Sequence, residues 1–355
     1  MSISGLLSVM WHQTFYKPHP LSPDVRLDGQ TAIITGSNIG LGHEAAQELA
    51  EHGVSRLILG VRDTSKGEAA KARILSHLKS TARMAEEISS CTIEVWPLDQ
   101  ESFLSILAFA SLARSLDRLD LVLLNAGLKL TTRRVAPETG HEMHVQVNHL
   151  GTALLSLLLL APLRRTTHTV RRDTGLGPAR LSITSSSVYA WVSPHEVLRE
   201  ETETAGGLLG WLDEPASFDK PEPGGGGRYS LSKLLGVLWA RELADHVSDS
   251  DVIINIFNPG YCMSEFHRAD PVAASGSLGS YFAWTVQQGG YHLTDAVVMH
   301  PESHGMWLSE QQIRPISKFV GSSEGKAVQK KLWDETMAIF RKQCPGPYLA
   351  EFENW

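Results

Sequence analysis

The hydrophobic pattern of the chain alternates between short apolar runs and longer stretches with helical spacing. The short runs are rich in β-branched residues and comprise Thr31–Thr35, Arg56–Val61, Thr92–Trp96, Leu119–Leu124, Leu181–Thr184 and Val252–Phe257. Strands that alternate with helices of about ten or more residues favour a parallel sheet covered on both faces. The pattern therefore predicts an α/β fold built on a doubly wound parallel sheet.

The stretches between these runs predict helices. One covers residues 42–52, and the capping box Ser65–Glu68 opens another. The apolar stretch Ala153–Leu163 is shorter than the roughly 18 residues of a membrane span, so we expect a buried helix and no transmembrane segment. The stretch Glu324–Arg341 predicts a helix near the carboxyl terminus.

The remaining segments suggest how the chain is organised. Residues 1–28 predict an irregular leader, and residues 29–355 predict a single domain. Within that domain, residues 190–227 form a polar, glycine-rich insertion, and residues 270–355 form an extension on the substrate side with a helical end. The tryptophans of the extension are expected to be packing residues, namely Trp307, Trp333 and Trp355.

Composition and charge restrict the classes of partner. The net charge of -7 and pI near 6.1 argue against nucleic acid as a partner. The basic run Arg164–Arg172 is expected to be a solvated loop. Three widely spaced cysteines offer neither zinc spacing nor a disulfide framework, which indicates a reducing compartment and a cytoplasmic location. His141, Glu142 and His144 lack the spacing of a metalloprotease helix, so we expect a solvated helix face and no metal.

A glycine-rich turn follows the first predicted strand. Gly36, Gly40 and Gly42 lie between this strand and the first helix, in Thr35-Gly-Ser-Asn-Ile-Gly-Leu-Gly42. Glycines at these places let the backbone approach a pyrophosphate, and the helix N-terminus offers unpaired N–H groups to that anion. The turn predicts a dinucleotide site on a Rossmann-type sheet.

The end of the second strand bears on the choice of cofactor. NAD enzymes usually carry an acidic residue there for the ribose 2′-hydroxyl, but this place falls on Val61, and Arg62 follows. A guanidinium pairs with a 2′-phosphate, so the sequence favours NADP. The alternative is that Arg62 is a surface partner of Asp63.

A tyrosine and a lysine four residues apart, Tyr229 and Lys233, predict acid–base chemistry. In a helix they share one face. A phenol with a pKa near 10 is a poor acid–base group at neutral pH, and a nearby cation favours the phenolate. The spacing alone is common, so its weight depends on the upstream glycine turn.

Together, these residues resemble the short-chain dehydrogenase/reductase family over roughly residues 28 to 265. The glycine turn matches the family's Thr-Gly-x-x-x-Gly-x-Gly pattern, whose spacing favours the short, single-domain branch. Asp99 matches the acidic residue that contacts adenine. Asn125-Ala-Gly127 matches the Asn-Asn-Ala-Gly strand end, although Leu124 replaces the first asparagine.

The resemblance implies a four-residue catalytic set. Tyr229 would be the acid–base group, and Lys233 would lower its pKa and bind the nicotinamide ribose. Ser186 would hold the substrate oxygen, with Ser187 as the alternative register. Asn148 would position a water in the family's proton relay.

The resemblance also implies a cofactor site. The Pro-Gly segment Asn258–Ser264 would hold the nicotinamide amide near Cys262, and Ser264 stands where threonine is usual. The predicted cofactor residues are Gly36, Ser37, Asn38, Ile39, Gly40, Gly42, Arg62, Asp99, Asn125, Ala126, Gly127, Tyr229, Lys233, Pro259, Gly260, Cys262 and Ser264.

The expected function is NADP-dependent hydride transfer between nicotinamide and a carbonyl or secondary alcohol of a small hydrophobic substrate. The leader, the strand end at Arg62 and the tail look most like fungal reductases, many of which serve secondary metabolism, and the family often forms homodimers. A cofactor-binding regulatory or scaffold protein and a lyase or isomerase without net redox are the alternatives. No Gly-x-Ser-x-Gly elbow supports acyl chemistry.

The insertion before Tyr229 suggests a lid. Ser186 and Tyr229 are 43 positions apart, and Gly224–Gly227 adjoin the catalytic helix. A hinge there would let the insertion cover the substrate. Deleting residues 200–222 is therefore expected to change substrate preference more than NADP affinity.

Overall fold

The computed structural model describes residues 13–81, 91–172, 174–219, 227–267, 282–344 and 347–352. They form an eight-stranded sheet in the order β3-β2-β1-β4-β5-β6-β7-β8. The strands are β1 Thr31–Thr35, β2 Arg56–Val61, β3 Thr92–Pro97, β4 Leu121–Leu124, β5 Ala179–Thr184, β6 Val252–Asn258, β7 Trp307–Ser309 and β8 Gln312–Arg314. The first seven are parallel, and β8 is antiparallel to β7.

Helices cover both faces of this sheet and confirm the Rossmann-type prediction. The α-helices are α1 Gly40–Glu51, α2 Thr64–Thr81, α3 Phe103–Arg114, α4 Thr152–Thr166, α5 Glu201–Thr204, α6 Leu208–Asp213, α7 Pro215–Asp219, α8 Gly227–Asp245, α9 Val286–Val298, α10 Lys318–Gly321 and α11 Ser323–Gln343. One core contains residues of α3, α4, α8 and α11. The opposite core contains residues of α1, α2 and α9. Strands buried on both faces explain the continuous apolar runs in the sequence.

The six predicted strands are all present, but β7 and β8 were not predicted. Each has three residues, too short for a hydrophobic period to be recognised. Helix α9 was also missed, although Thr285 caps it and forms a capping box with Gln288. Helix α2 begins differently from the prediction. Asp63, rather than Ser65, caps it, because its Oδ1 accepts from the backbone N–H groups of Ser65 and Lys66 at 3.0 and 3.2 Å.

The apolar stretch around α4 is a core helix. With the π-helical turns Val145–Gly151 and Thr167–Arg171 it forms a continuous helix, long and apolar enough to cross a membrane, and 94% of its most apolar window is buried. A buried core helix passes such a test, so it is weak evidence for a span. The expected solvated loop at Arg164–Arg172 is wrong, because this run continues the helix. Arg171 is buried and bonds Asp120 at 3.0 Å.

The insertion is fastened to the rest of the fold. Glu335 of α11 accepts hydrogen bonds from the first backbone N–H groups of α6, those of Leu208 and Leu209, each at 2.9 Å.

Trp333 of α11 stacks on Trp239 of α8 at 4.5 Å, so Trp333 is a packing residue, as is buried Trp307. Trp355 lies outside the described residues.

The histidines before α4 are buried, so the expected solvated helix face is wrong. Glu142 and His144 are fully buried and pair at 2.8 Å. His141 bonds Asp213 of the insertion at 2.6 Å. Arg228, at the start of α8, lies 3.8 Å from Glu142. Side chains of opposite charge from three segments, namely Glu142, Asp213 of the insertion and Arg228 of α8, therefore enclose these histidines inside the protein. Within the described part of the chain, no group of three potential ligand side chains is placed to hold a metal ion.

Candidate active site

A large cleft opens at the carboxyl ends of the central strands. Its volume is about 1140 Å³. Strands β1 and β4 are neighbours there although their connections run to opposite faces, which is the topological switch point where ligands bind in open α/β sheets. The fold therefore places a ligand site between the turns that follow these strands.

The glycine turn forms one side of the cleft. Gly36 and Gly40 have φ values of +66° and +63°, a conformation that favours glycine. A Cβ on Gly42 would lie 2.6 Å from both the Asn125 side chain and the Gly36 carbonyl oxygen. No side chain caps α1 at Ile39, so its first N–H groups are available to an anion. The backbone thus fits a pyrophosphate.

The turn is bound to the end of β4. The Thr35 hydroxyl accepts from the backbone N–H groups of Asn125 and Ala126 at 2.9 and 3.0 Å. The Asn125 amide donates to the carbonyl oxygens of Thr35 and Gly36 at 3.1 and 3.3 Å. Ser37 is buried and bonds the Ile34 carbonyl. Asn125 and Ser37 therefore shape the turn.

Three side chains of the predicted catalytic set meet in the cleft. Ser186 follows β5, and Tyr229 and Lys233 lie on α8. The Ser186 side chain lies close enough to the Tyr229 phenol to lower its pKa as a hydrogen-bond partner. The Lys233 Nζ lies 5.7 Å from the centroid of the Tyr229 ring and donates to the Thr184 carbonyl at 3.1 Å. Ser187 lies beside them, and its backbone N–H donates to Asn258 at 3.0 Å.

Burial makes both helix residues harder to ionise. It raises the pKa of Tyr229, while the hydrogen bond to Ser186 acts in the opposite direction. It lowers the pKa of Lys233 to about 8. Both shifts follow from the loss of water around the charged form. The neutral phenol is a proton donor, and the lysine is poised to titrate close to neutral pH.

Asn148 lies behind this group, in the π-helical turn that precedes α4. Its amide holds the Leu128 backbone at 2.8 and 2.9 Å and also donates to the Ser232 hydroxyl at 2.9 Å. A Cβ on Gly127 would lie 3.1 Å from Asn148 Oδ1 and 3.7 Å from Lys233 Nζ. The absence of a side chain at Gly127 therefore allows Asn148 and Lys233 to approach the end of β4. The π-helical turn that contains Asn148 is itself a feature that often occurs at functional sites.

The Pro-Gly segment forms the opposite wall. Pro259, Gly260, Cys262 and Ser264 all line the cleft. Gly260 has a φ of +78°. Cys262 is buried and donates from Sγ to the Pro259 carbonyl at 3.4 Å, and burial raises the pKa of its thiol to about 12. This cysteine is therefore a packing group at neutral pH.

The outer end of the cleft contains Arg62, which is 65% exposed and paired with Glu101. It does not pair with Asp63, whose carboxylate caps α2. Asp99 does not line the cleft. Its Oδ1 accepts from the Glu101 backbone N–H at 2.9 Å, so this oxygen already has a partner within the chain. Asn38, Ile39 and Gly127 line the cleft.

Several lining residues were not predicted from the sequence. Gln13 of the leader, Phe266 and Trp284 line the cleft without any motif. The ring of Phe266 lies 5.5 Å from that of Tyr229.

Comparison with known proteins agrees with this fold and cleft, and the chain belongs to the short-chain dehydrogenase family. The family model described as short chain dehydrogenase matches residues 30–169. The chain is 47% identical over 311 residues to the short chain dehydrogenase sol3 of Alternaria solani, covering 88% of this chain and 99% of that protein. It is 35% identical to the short chain dehydrogenase virL of Hypocrea virens, covering 93% and 90%.

Solved structures share the fold at lower identity. The Pseudomonas aeruginosa RhlG/NADP active-site complex has a TM-score of 0.55 and 20% identity, over 81% of this chain and 97% of that chain. The Escherichia coli oxidoreductase yciK has a TM-score of 0.55 and 20% identity, over 84% and 100%. The predicted family and fold are thus confirmed, while the roles of individual site residues stay predictions.

Proposed function

We propose that the protein is an NADP(H)-dependent oxidoreductase that interconverts a carbonyl and a secondary alcohol on a small hydrophobic substrate. The observation that carries the proposal is the meeting of Ser186, Tyr229 and Lys233 in one cleft, beside the uncapped start of α1. A binding module needs the anion site but not a proton donor with an ordered hydrogen-bond partner. This favours the enzyme over the regulatory or scaffold alternative.

The cofactor fits the cleft by its chemistry. The backbone of the glycine turn would hold the pyrophosphate, Arg62 and Lys66 would face the 2′-phosphate, and the Pro259–Cys262 loop would face the carboxamide. When bound, the nicotinamide supplies or accepts the hydride. NADP is preferred because no carboxylate occupies position 61 at the end of β2.

The chain's own residues manage the proton. In reduction, the Tyr229 hydroxyl gives its proton to the substrate oxygen as negative charge develops there. Ser186 donates a hydrogen bond to the same oxygen, in the manner of one oxyanion-hole donor. Protonated Lys233 stabilises the phenolate that remains. Asn148 holds the Leu128 backbone and positions a water, and this water returns the proton that Tyr229 has lost.

The inner cleft supports a hydrophobic substrate. The walls of the cleft include apolar and aromatic side chains, namely Leu128, Leu130, Val188, Trp191, Phe266, Phe282 and Trp284, and the Phe266 ring lies 5.5 Å from that of Tyr229. An apolar wall with a few polar groups at the reacting oxygen is typical of small-molecule sites. We include a role in secondary metabolism in this proposal, because the relatives are fungal proteins. A cytoplasmic location and a homodimer are also part of the proposal. A lyase or isomerase would use Tyr229 without consuming NADPH.

Replacing the phenol tests the mechanism. Tyr229→Phe should lower kcat at least about a hundredfold while the Kd for NADPH stays unchanged, with NADPH absorbance followed against a panel of carbonyl compounds. Tyr189→Phe is the matched control, because its phenol is also buried but bonds the Ser317 backbone outside the cleft. Near-full activity of Tyr229→Phe would reject the assignment, and substrate conversion without NADPH loss would favour the lyase or isomerase.

Replacing the guanidinium tests the cofactor. Arg62→Ala should raise the Kd for NADPH about tenfold and leave that for NADH unchanged, as measured by fluorescence titration. Arg56→Ala is the control, because Arg56 pairs with Glu94 at 2.6 Å at the other end of β2. Equal affinity for both cofactors, unaffected by Arg62→Ala, would overturn the NADP preference.

A further inference from the structure

Among the described residues of the leader, Gln13 lines the active-site cleft. Its Nε2 donates to the carbonyl oxygens of Tyr261 and Phe282 at 3.0 and 3.1 Å, and its Oε1 accepts from the Tyr261 backbone N–H at 3.0 Å. A primary amide has two N–H donors and a carbonyl acceptor, and all of them are used. The side chain is 8% exposed. This amide is therefore a built-in connector between the leader and the loop at Tyr261.

The connector lies directly against the nicotinamide side of the cleft. A Cβ on Gly260 would stand 2.8 Å from Gln13 Oε1 and 2.2 Å from the Trp284 ring. The Trp284 indole in turn donates to the Gln13 carbonyl at 3.1 Å. The Gly260 backbone is thus packed between a leader amide and an aromatic ring, and its position in the cleft depends on both.

Gln13 also joins two parts of the chain that lie on either side of residues 268–281. Tyr261 precedes that segment, and Phe282 follows it. The same junction contains backbone hydrogen bonds of 2.9 Å from Trp284 to Tyr261 and from Met263 to Trp284. Both sides of the junction line the cleft, so the Gln13 side chain and these backbone bonds together hold two walls of the site at a fixed separation.

The leader is held from behind as well. Gln311 accepts from the Tyr16 hydroxyl at 2.7 Å and from the His19 backbone at 2.8 Å, and it donates to the His19 carbonyl at 2.8 Å. Gln311 and Glu310 form the β7–β8 turn with φ values of +53° and +55°. Two adjacent non-glycine residues in this conformation cost free energy, and the contacts to the leader help to hold the turn.

An aromatic stack completes the attachment. The Trp284 ring stacks on His292 of α9 at 4.9 Å, and the Tyr16 ring lies 5.9 Å from Trp284. At the far end of the segment, the Leu21 backbone donates to Glu48 of α1 at 2.8 Å. Residues 13–21, which we name the leader strap, thus connect the Pro-Gly loop, the β7–β8 turn and α1.

We propose that the leader strap is a wall of the active site and that Gln13 is a positioning residue for the loop that receives the nicotinamide carboxamide. The proposal rests on the proposed use of NADP(H). Gln13 acts through the Tyr261 and Gly260 backbone and not on the reacting atoms. Its loss should therefore weaken binding of the nicotinamide half of the cofactor and leave the adenosine half unaffected.

Calorimetric titration of two ligands tests this division. In Gln13→Ala the Kd for NADPH should rise about tenfold, while the Kd for adenosine 2′,5′-bisphosphate, which lacks nicotinamide, should not change. Gln13→Glu keeps the shape and the acceptor but loses both donors, so an intermediate loss of NADPH affinity is expected. Gln329→Ala is the matched control, because this buried glutamine bonds Glu242 on the far side of α8.

Hydrogen exchange gives a readout that needs no cofactor. The Tyr261 amide should exchange at least about tenfold faster in Gln13→Ala than in wild type. The amides of the core strand β6 should exchange at the same rate in both proteins. Wild-type protein that binds neither NADPH nor NADH would overturn the proposed function. Wild-type protein that binds NADPH, with a Gln13→Ala variant of equal NADPH affinity and unchanged Tyr261 exchange, would overturn this inference alone. Equal loss of affinity for both ligands would also reject it, because a general structural defect predicts that result.

Discussion

The leader and the insertion offer an instructive contrast. The sequence suggests an irregular leader and a glycine-rich insertion that closes over the substrate. In the structure, Gln13 of the leader contacts the Pro-Gly loop at 3.0 Å, whereas Trp191 is the one residue of the described part of 190–227 that lines the cleft. The hinge predicted at Gly224–Gly227 falls mostly outside the described residues, so the lid stays a prediction.

The contrast teaches that proximity along the chain to a catalytic residue is a poor guide to proximity in the cleft. The insertion directly precedes Tyr229, yet α6 is capped by Glu335 of the C-terminal helix, and Asp213 is bonded to His141. These contacts fasten the insertion to α11 and to the segment that precedes α4. The leader, in contrast, reaches the site because α9 and the β7–β8 turn provide a platform for it.

The largest effect that would separate the two regions is expected at Gly260. A Cβ there meets the Trp284 ring and Gln13 and requires a φ of +78°, so Gly260→Ala should lower the free energy of unfolding by about 2–4 kcal/mol and weaken NADPH binding at least tenfold. Gly175→Ala has a similar φ of +72° and no atom within 4 Å. It should cost about 1 kcal/mol without changing NADPH affinity, as urea unfolding and titration would reveal. Similar results for both variants would mean that the packing around Gly260 does not matter.

Acid should destabilise the folded protein through His292, which stacks on Trp284 beside the leader. Burial lowers the pKa of His292 to about 3 from its usual 6.5, so the folded state keeps it neutral while the unfolded state takes up a proton as the pH falls below 6.5. Stability is therefore full above pH 6.5 and decreases as the pH approaches 3, by up to about 2 kcal/mol between pH 7 and 5. His292→Phe should reduce this loss in urea unfolding at the two pH values.

His149 is the matched control for that prediction. Burial lowers its pKa to about 3 as well, but it bonds Thr336 of α11 at 2.9 Å on the insertion side. His149→Phe should also reduce the acid loss, because both histidines are neutral in the folded protein and take up their proton only on unfolding. An identical acid loss in wild type and His292→Phe would show that His292 does not stay neutral in the folded protein.

The smallest effect is expected where the insertion meets α11. Glu335→Gln keeps the shape but weakens two hydrogen bonds to the start of α6, so the free energy of unfolding should fall by about 1 kcal/mol with kcat/KM unchanged. Asp334→Asn on the same helix, exposed and 3.8 Å from Lys330, should change stability by less than about 0.5 kcal/mol. A changed substrate preference in Glu335→Gln would contradict this expectation and support the prediction that the insertion is a lid.

The sheet and the cofactor side of the site could be predicted from the sequence because each signal is local. Residues 31–42 contain a strand, its turn and a helix start in one continuous run, and the bounds of β1 and β2 match the predicted runs. Tyr229 and Lys233 lie on one helix, so their spacing alone sets their neighbourhood. Ser186 required the resemblance, and the structure places its side chain against Tyr229.

The missed features depend on contacts between distant segments. Gln13 lies in a stretch with no periodicity, and its partners are 248 and 269 positions away. The burial of Glu142 and His144 depends on Arg228 and on an insertion that no local pattern places there. Strands β7 and β8 have three residues each. Strand β7 forms by pairing with β6, and β8 forms by pairing with β7. Local propensity does not contain this information.

The long reach of the leader strap also bears on the order in which the protein is assembled. During synthesis Gln13 is made 248 and 269 positions before its partners Tyr261 and Phe282, and His19 is made 292 positions before its anchor Gln311. Tyr229 and Lys233 precede all three of these partners. A nascent chain that already contains Tyr229 and Lys233 therefore still lacks the segments that position the leader strap. The strap takes its place in the cleft only after helix α8 has been made.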